Sequence, residues 1–517
     1  VELYAGGHLM DQFWSPLTNT LTGPYGADTL ENRIRFTTDV LTAVRKRVGP
    51  DFIVGIRATA DEMQTGGITE DEGIEIGRML KASGMVDFLN VNRGRIHTDP
   101  AMTKMIPIQG MRSAPHLDFA GRIRRATALP TFHASRIQDV ATARHAIAEG
   151  HLDMVGMTRA HMADPHLVAK IIEGREDDIR PCVGANYCLD RIYQGGMALC
   201  LHNAATGREE TMPHTIIPAL TRRTVVVVGA GPGGLEAARV AAARGHAVTL
   251  LEAASGPGGQ VRLTARSPRR SEMMGLIDWR VAQCEAAGVD IRYNTYADAG
   301  DVTALNPDVV IVATGGMAHT MLFETDTDLP LAVTSWDILS GDVAPGSDIL
   351  IYDEAGDHAG LQAAEVALGS GAKIEIMTPD RSFAPEVMAM NLSRYMKALQ
   401  HNDVRFTIAQ RLVGLDRVGN RLRATLGTDY SDRVTHAEYD QVVVNYGTMP
   451  LDELYFDLRP LSQNGGAVDH AALIDGRQQS IETNSDGAFQ LFRIGDAVSS
   501  RNTHAAIYDA LRLIKDL

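Results

Sequence analysis

Residues 229–234, which read GAGPGG, constrain the fold more than any other stretch of this chain. They stand between a strand-like run of four valines and an alanine-rich segment, and a second apolar run ends at Glu252. Glycines spaced like Gly229, Gly231 and Gly234 allow a tight turn, close approach of the backbone to a phosphate, and close packing of helix on strand. The pattern predicts a strand–turn–helix–strand unit whose turn binds a pyrophosphate, with Glu252 on the ribose hydroxyls.

Three further short segments are of the kind that surrounds a flavin nucleotide. They are Gly258-Gly259-Gln260 just after Glu252, a strand end that contains Thr314 and Gly315, and Gly495-Asp496 near the C-terminus. Ordinary turn glycines are the alternative interpretation of each segment. Together with the GAGPGG turn, the segments predict an FAD site, with ADP as the alternative ligand.

The first 179 residues have a different pattern, in which short apolar runs alternate with amphipathic helical segments. This alternation predicts a parallel sheet and an α/β fold. We count five strand–helix units with no glycine-rich dinucleotide turn among them, whereas a closed (β/α)8 barrel has eight units. The economical interpretation is that residues 1–179 are the C-terminal part of a TIM barrel whose earlier strands are absent from this chain.

Three further regions follow. Residues 180–223 form a cysteine-rich connection, residues 224–346 and 448–517 are predicted to form an FAD- or ADP-binding Rossmann domain, and residues 347–447 form an inserted Rossmann-like domain, as in a glutathione reductase-like architecture. The turn of the inserted domain carries Asp353, Glu354 and Asp357 where a dinucleotide turn needs glycines. Because carboxylates repel a pyrophosphate, we expect a degenerate NAD(P)-like domain.

Composition argues against several classes of function. The chain of 517 residues has a net charge of -15, which argues against nucleic acid as a partner. No apolar run is long enough to cross a bilayer, so we expect a cytoplasmic protein without a membrane span. Three of the four cysteines, Cys182, Cys188 and Cys200, lie within nineteen residues. In a reducing compartment such clustering indicates metal or redox chemistry rather than disulfides.

The order of barrel, cysteine loop and split dinucleotide domain resembles the trimethylamine dehydrogenase and 2,4-dienoyl-CoA reductase family of old yellow enzyme-like flavoproteins. The resemblance covers essentially the whole chain. Residues 8–36 are similar to the segment after the fourth barrel strand of that family, and residues 178–188, DIRPCVGANYC, are similar to its cluster loop. Within the family, the chain is most similar to N-methylproline and dimethylglycine demethylases. The resemblance implies FMN on the barrel, an iron–sulfur cluster beside it, and FAD or ADP in the next domain.

By this resemblance, Arg57 faces the flavin pyrimidine and stabilises negative charge on the reduced ring. Ser135, Arg136 and Arg159 match the segments around the FMN phosphate, for which arginine forks are suited. Surface ion pairing is the alternative role of the three arginines. Their expected position at the C-terminal ends of barrel strands favours the functional role.

Tyr4 and His8 come at the place where the alkene reductases of the family carry a tyrosine as proton donor. The turn is one residue shorter here, so His8 takes the place of the donor, and Tyr4 matches an aromatic residue of the amine dehydrogenases. We predict that both are catalytic and favour the neutral form of an amine. A hydrogen-bonded histidine and a packed tyrosine are the alternative.

The cysteine loop departs from the family pattern at one position. Cys182, Cys188 and Cys200 match three of the four cluster ligands, and Ala185 stands where the second ligand is expected. We predict that the three cysteines bind an iron–sulfur cluster, either a three-iron form (3Fe-4S) or a four-iron form (4Fe-4S) with a non-cysteine ligand. Buried cysteines that pack as small apolar groups are the alternative.

The resemblance implies oxidative removal of an N-methyl group from a small amine or amino acid, with release of formaldehyde and transfer of electrons from FMN through the iron–sulfur centre to the second domain. Ile192 and Tyr193 lie where the trimethylamine enzyme has a cation-binding tryptophan, and this loss favours a substrate that also carries a carboxylate. We expect a protein electron acceptor, such as an electron-transfer flavoprotein, and a homo-oligomer. An NAD(P)H-dependent enoyl or enone reductase and a non-catalytic electron-transfer subunit are the alternative functions.

Overall fold

The computed structural model describes residues 1–320 and 330–517, and the chain divides into two compact units. The first unit comprises residues 1–162 and 166–176, and the second comprises residues 163–165 and 177–517. The finer domain boundaries given above stay predictions. Among the described residues, no helix has both the length and the apolar character needed to cross a membrane.

The first unit is an alternation of strands and helices. Its strands are β1 (Glu2–Ala5), β2 (Gly55–Thr59), β3 (Phe88–Asn92), β4 (Thr131–His133) and β5 (Met154–Val155). Its helices are α1 (Leu9–Trp14), α2 (Leu30–Val48), α3 (Glu70–Ala82), α4 (Asp99–Met105), α5 (Leu117–Thr127), α6 (Val140–Ala148), α7 (Thr158–Ala163) and α8 (Leu167–Ile172). The five strands pair in parallel and in chain order. This succession confirms the predicted α/β class and is that of a (β/α)8 barrel.

Local signals in the sequence account for several helix starts in this unit. Thr29 caps α2 by accepting a hydrogen bond from the Asn32 N–H. Thr69 and Glu72 form a reciprocal capping box at the start of α3. Such caps satisfy backbone N–H groups that have no partner inside the helix.

The second unit begins with the cysteine loop and its helix α9 (Tyr187–Tyr193). The next elements are β6 (Thr224–Val228), α10 (Pro232–Ala243), β7 (Ala247–Leu251), α11 (Gln260–Arg266), α12 (Gly275–Ala286), β8 (Asp290–Arg292), α13 (Ala299–Thr303), β9 (Val309–Val312) and β10 (Gly316–Ala318). With the C-terminal strand β20 (Gln490–Arg493), the strands β6 to β9 form a parallel sheet of order β20-β9-β6-β7-β8. Helices on both faces bury alternate valines of β6, Val225 and Val227 on one side and Val226 and Val228 on the other, which explains the unbroken valine run.

A second parallel sheet is inserted after β10. Its elements are β11 (Val333–Thr334), α14 (Ser335–Ser340), β12 (Asp348–Asp353), α15 (His358–Gly369), β13 (Lys373–Met377), α16 (Ala389–His401), β14 (Arg405–Thr407), β15 (Arg411–Val418), β16 (Arg421–Thr428), β17 (Ser431–Tyr439) and β18 (Gln441–Asn445). The parallel sheet has the order β11-β18-β12-β13-β14, and β15, β16 and β17 form an antiparallel sheet. The second sheet therefore includes β11, which lies before residue 347.

The chain returns to the first dinucleotide sheet through β19 (Thr448–Pro450), which pairs antiparallel with β10. The last elements are α17 (Glu453–Leu458), α18 (His470–Asp475), β20 (Gln490–Arg493) and α19 (Thr503–Ile514). Helix α19 packs with α10 in the apolar core that covers β6. The architecture is that of two Rossmann-like regions, one inserted in the other, as the sequence predicts.

Candidate active site and cofactor-binding regions

One face of the barrel sheet presents a row of polar side chains. Parallel pairing places Tyr4 beside Arg57 and Arg57 beside Asn90. Their sequence neighbours Ile56 and Leu89 are buried, because successive side chains of a strand point to opposite faces. Arg57 therefore lies within β2 and not beyond its C-terminal end.

Tyr4, His8 and Arg57 are adjacent and form what we call the Tyr4–His8–Arg57 cluster. The ring centroids of Tyr4 and His8 are 4.7 Å apart, and the guanidinium carbon of Arg57 lies 5.4 Å from the Tyr4 ring centroid, within the range of a cation–π contact. Glu2 pairs with Arg57 at 3.1 Å between Oε1 and Nε, and its Oε2 accepts a hydrogen bond from Asn90. The cluster joins both predicted catalytic residues to the arginine predicted to face the flavin.

Asp11, which the sequence interpretation missed, fixes the turn that carries His8. Its buried carboxylate accepts hydrogen bonds from the backbone N–H groups of Gly7 and His8, each at 2.7 Å. An aspartate in the first turn of a helix is the available sequence signal, since carboxylates bind N–H groups there. The shortened turn is therefore held in one conformation by the start of α1.

The segments predicted to hold the FMN phosphate follow β4 and β5. Ser135 and Arg136 both have positive φ angles, +107° and +58°, in the left-handed region that favours glycine. The backbone oxygen of Arg136 accepts a hydrogen bond from the Ala114 N–H at 3.2 Å, and Arg159 Nη1 donates to the Pro107 oxygen at 2.9 Å. Both segments thus contact the same loop, residues 106–116. Two arginines beside an unusual backbone turn fit a phosphate group.

The GAGPGG turn has the geometry that a dinucleotide requires. Gly229 has φ +105°, and a Cβ there would lie 2.3 Å from the Ala313 oxygen. A Cβ at Gly234 would lie 1.8 Å from the Gly229 oxygen, whereas a Cβ at Gly231 would meet no atom within 4 Å. Gly229 and Gly234 are therefore needed for the turn and for helix packing, and Gly231 leaves open space next to the N-terminus of α10. The residues fit a pyrophosphate at this place.

The other predicted flavin segments surround the same turn. The Glu252 carboxylate accepts hydrogen bonds from the Ala230 N–H at 2.6 Å and from the Ala254 N–H at 2.8 Å. The Gly258 N–H donates to the Ala230 oxygen, and a Cβ at Gly259 would lie 3.5 Å from Gly231 Cα. These contacts place Glu252 and the 258–260 loop directly at the dinucleotide turn.

The C-terminal segment meets the same loop from the other side. Gln260 Nε2 donates a hydrogen bond to Asp496 Oδ2 at 3.0 Å, and burial raises the pKa of Asp496. Thr314 Oγ1 donates to the Leu451 oxygen, and Gly315 has φ +74°. The structure thus joins Gln260 and Asp496, which are far apart in sequence, and it places Thr314 and Gly315 at the end of β9.

The three clustered cysteines are partly buried, and none of them forms a disulfide within the described part of the chain. Burial raises the pKa of Cys200 to about 12, and the thiols of Cys182 and Cys188 lie close enough to contribute. In the chain outside residues 321–329, no group of three or more His, Cys, Asp and Glu side chains surrounds one ion position. A cluster differs from a single ion because each thiolate binds its own iron. Three neighbouring soft thiolates fit such a cluster.

The acidic turn of the inserted region differs from the sequence interpretation, which placed all three carboxylates against a pyrophosphate. Asp353 is buried under the turn, where its Oδ1 accepts hydrogen bonds from the Gly356 N–H at 3.0 Å and from Asn445 Nδ2 at 2.8 Å. Asp357 caps α15. Glu354 alone of the three is exposed. The carboxylates of Asp353 and Asp357 stabilise the turn itself and fill the place of a dinucleotide glycine turn.

Comparison with known proteins decides the family. Residues 1–178 match the NADH:flavin oxidoreductase / NADH oxidase family, and residues 223–510 match the pyridine nucleotide-disulphide oxidoreductase family. A protein of Rhizobium meliloti (strain 1021) named "Probable N-methylproline demethylase" is 63% identical over 517 residues, which are 100% of this chain and 76% of that protein. The chain belongs to the trimethylamine dehydrogenase / 2,4-dienoyl-CoA reductase family, as its sequence predicts.

Two other similar proteins match nearly the whole of this chain. The N,N-dimethylglycine/sarcosine dehydrogenase of Chromohalobacter salexigens is 42% identical over 98% of this chain and 75% of its own. A solved structure, 2-naphthoyl-CoA reductase bound to 2-naphthoyl-CoA, superposes with a TM-score of 0.85 at 27% identity, over 100% of this chain and 73% of its own. The chain therefore combines the FMN-type barrel and the FAD-type dinucleotide region of the family.

A buried ionic network in this family member ties the cysteine loop to the dinucleotide region, and the sequence interpretation missed it. Arg280 Nε donates to Glu236 at 2.8 Å, and Arg280 Nη2 donates to the backbone oxygen of His202, two residues after Cys200, at 2.9 Å. Burial alone would raise the pKa of Glu236, but the guanidinium groups of Arg239 and Arg280 hold it well below its usual range. No local pattern signals this network, because its members come from separate helices and a loop.

The buried carboxyl group of Asp353 predicts a pH-dependent stability. Burial and the neighbouring Asp357 raise the pKa of Asp353 to about 7, above the value of about 3.9 in an unfolded chain. The protonated Asp353 carboxyl contributes no more than about 4 kcal/mol to the free energy of unfolding. This contribution is fully present below about pH 4 and is lost as the pH rises through about 7. We expect Asp353→Asn to flatten the pH dependence of the urea midpoint across this window. Asp416→Asn, at an exposed site, should keep the wild-type slope, and an unchanged slope in Asp353→Asn would contradict the prediction.

Proposed function

We propose that this protein is a flavin-dependent oxidoreductase that removes an N-methyl group from a small amine or amino acid of the N-methylproline or dimethylglycine type and releases formaldehyde. The observation that carries the proposal is the Tyr4–His8–Arg57 cluster, in which, by the family resemblance, His8 would take the place of the tyrosine donor of alkene reductases. The names of the relatives at 63% and 42% identity support the same substrate class.

The residues of the cluster suit the proton chemistry of this reaction. An uncharged amine donates hydride more readily than an ammonium ion, so a base at His8, beside Tyr4 at 4.7 Å between ring centroids, removes the amine proton before oxidation. When bound, FMN supplies the two-electron acceptor for hydride from the N-methyl carbon. Arg57 lies on the same face of the barrel sheet as Tyr4. Its positive charge stabilises the negative charge that develops at this face during the reaction. Water then cleaves the resulting iminium ion into formaldehyde and the demethylated amine.

We propose that the electrons finally pass to a protein such as an electron-transfer flavoprotein and not to NAD(P)+. Cys182, Cys188 and Cys200 would hold an iron–sulfur cluster, which supplies one-electron transfer when bound. The carboxylates of Asp353 and Asp357 occupy the turn where a nicotinamide dinucleotide would bind through its pyrophosphate. This arrangement disfavours an anionic phosphate at the start of α15.

An anaerobic flavin-bleaching screen of the full-length protein tests the proposed function. N-methylproline or dimethylglycine should bleach the flavin, produce formaldehyde and reduce ferricenium while little NADH forms. Bleaching by micromolar NADH or NADPH, at rates that match turnover and without a response to amines, would favour an enoyl or enone reductase instead. That alternative has support from a 40% identical relative named "Multifunctional alkene reductase/demethylase OYE". Absence of FMN would favour a non-catalytic electron-transfer subunit.

The contacts around the GAGPGG turn predict which nucleotide the second region retains. Gln260 and Asp496 are hydrogen-bonded to each other next to the turn, and bare ADP has no isoalloxazine ring that could contact this pair. We expect the purified full-length protein to release FMN and FAD in a ratio of about one to one on denaturation. Chromatography that detects FMN with ADP and no FAD would contradict this expectation.

A further inference from the structure

Ala185 stands where the family has a cluster ligand, and its surroundings are packed. The residues on either side, Gly184 and Asn186, have φ angles of +65° and +64°. Ala185 packs against the apolar core of the dinucleotide region, and its backbone oxygen accepts a hydrogen bond from Asn391 Nδ2 at 2.9 Å. The position is therefore held by the start of α16, which belongs to the inserted region.

The polar side chains nearest to Ala185 are engaged with one another. The buried Asp190 carboxylate accepts hydrogen bonds from the Met390 N–H at 3.5 Å and from Asn391 Nδ2 at 3.3 Å. The Asn186 side-chain nitrogen lies 2.7 Å from the Met390 sulfur. Met390 is fully buried, and Asn391 is buried as well. Asp190, Met390 and Asn391, which we call the seal, hold the backbone of the loop next to the position that lacks a thiol.

The chemistry of the remaining donors decides between the two cluster forms. Asn186 Oδ1 is a buried oxygen without a hydrogen-bond partner among residues 1–320 and 330–517. It is a neutral, hard amide oxygen, whereas the irons of a cluster take soft thiolates. The described contacts therefore offer three thiolates, Cys182, Cys188 and Cys200, and no comparable fourth ligand.

We propose that the cysteine loop holds a three-iron cluster, and that the seal over Ala185 keeps a fourth iron out. The proposal rests on the iron–sulfur centre of the proposed function and specifies its form. The inserted region then has a role that does not require a nicotinamide cofactor, because its helix α16 supplies Met390 and Asn391 to the seal.

Iron analysis and electron paramagnetic resonance of the anaerobically purified, oxidised full-length protein test the proposal. The wild type should contain about three irons per chain and show the paramagnetic signal of an oxidised three-iron cluster. Ala185→Cys should raise the content to about four irons and abolish that signal, because an oxidised four-iron cluster is diamagnetic. Ala198→Cys adds a thiol to the same loop out of register and should leave both measurements unchanged. Cys188→Ser should lose the iron while the circular dichroism spectrum is retained.

The outcomes separate this inference from the proposed function. A wild type with about four irons and no signal in the oxidised state overturns the three-iron form alone, and loss of one iron in Asn186→Ala would then identify the extra ligand. A wild type without iron after anaerobic purification overturns the centre itself, together with the part of the proposed function that depends on it. An Ala185→Cys protein that keeps three irons contradicts the role of position 185.

Discussion

Replacing Gly231 by alanine is expected to remove FAD from the protein while the fold is retained. Gly231 has φ -72°, a value that alanine adopts without strain, and the added methyl group would meet no protein atom within 4 Å. The methyl group would instead fill the open space at the N-terminus of α10 where the pyrophosphate approaches the backbone. We expect FAD affinity to fall at least about tenfold, which corresponds to about 1.4 kcal/mol.

The neighbouring substitution Gly234→Ala should act on the fold as well. A Cβ there would lie 1.8 Å from the Gly229 oxygen, so α10 must move away from the end of β6 at a cost of about 1–3 kcal/mol or more. Gly369→Ala, in the last turn of α15 where a Cβ meets nothing within 4 Å, is the matched control and should stay neutral or gain a little stability. Flavin content after gel filtration and thermal melts by circular dichroism measure both effects. Stoichiometric FAD in Gly231→Ala would show that the nucleotide does not approach this glycine.

The second large effect is expected at His8. His8→Gln removes the base but keeps a polar side chain, so flavin reduction by N-methylproline or dimethylglycine should slow by about 10²–10⁴-fold. Tyr4→Phe keeps the ring beside His8 and Arg57 and should have a smaller effect. The measurement is anaerobic stopped-flow spectroscopy of the full-length protein, with dithionite reduction as a check that the flavin itself stays intact.

A matched control and a rescue make this test specific. His97→Gln replaces an exposed histidine in the loop after β3 and should reduce at the wild-type rate. Added imidazole should restore part of the rate in His8→Ala, since a small base can enter the space left by the side chain. A His8→Gln rate within twofold of the wild type, with no imidazole effect in His8→Ala, would assign the proton step to another group.

The predictable parts of this molecule are those encoded by short-range patterns. The spacing of Gly229, Gly231 and Gly234 between a valine run and an alanine-rich helix has one common structural solution, and the structure has it. Alternation of strand and helix likewise gave the parallel order of the barrel strands. The turn and the strand order could be predicted from local sequence because the backbone alone forms both features.

Side-chain arrangements that join distant segments were not predictable in the same way. The sequence predicts that the Asp353 carboxylate faces a pyrophosphate, yet it is buried, and Asn445, from another strand, donates the hydrogen bond that allows its burial. The contact of Arg280 with Glu236 and His202 likewise depends on how two helices and a loop pack. Residue type and spacing do not indicate such pairs. The role of Asp11 was predictable, because an aspartate in the first turn of a helix is a local sequence signal.

The pairing of β10 with β19 has an evolutionary consequence. Met317 lies opposite Met449 in this two-stranded ribbon, so the chain leaves the first dinucleotide sheet and comes back to it at neighbouring points. This ribbon holds the two ends of the insert together. The first dinucleotide sheet can therefore form in the same way whatever the length of the insert. The length of the insert can therefore vary without rebuilding the nucleotide-binding sheet, as long as the start of α16, which holds the cysteine loop, is kept.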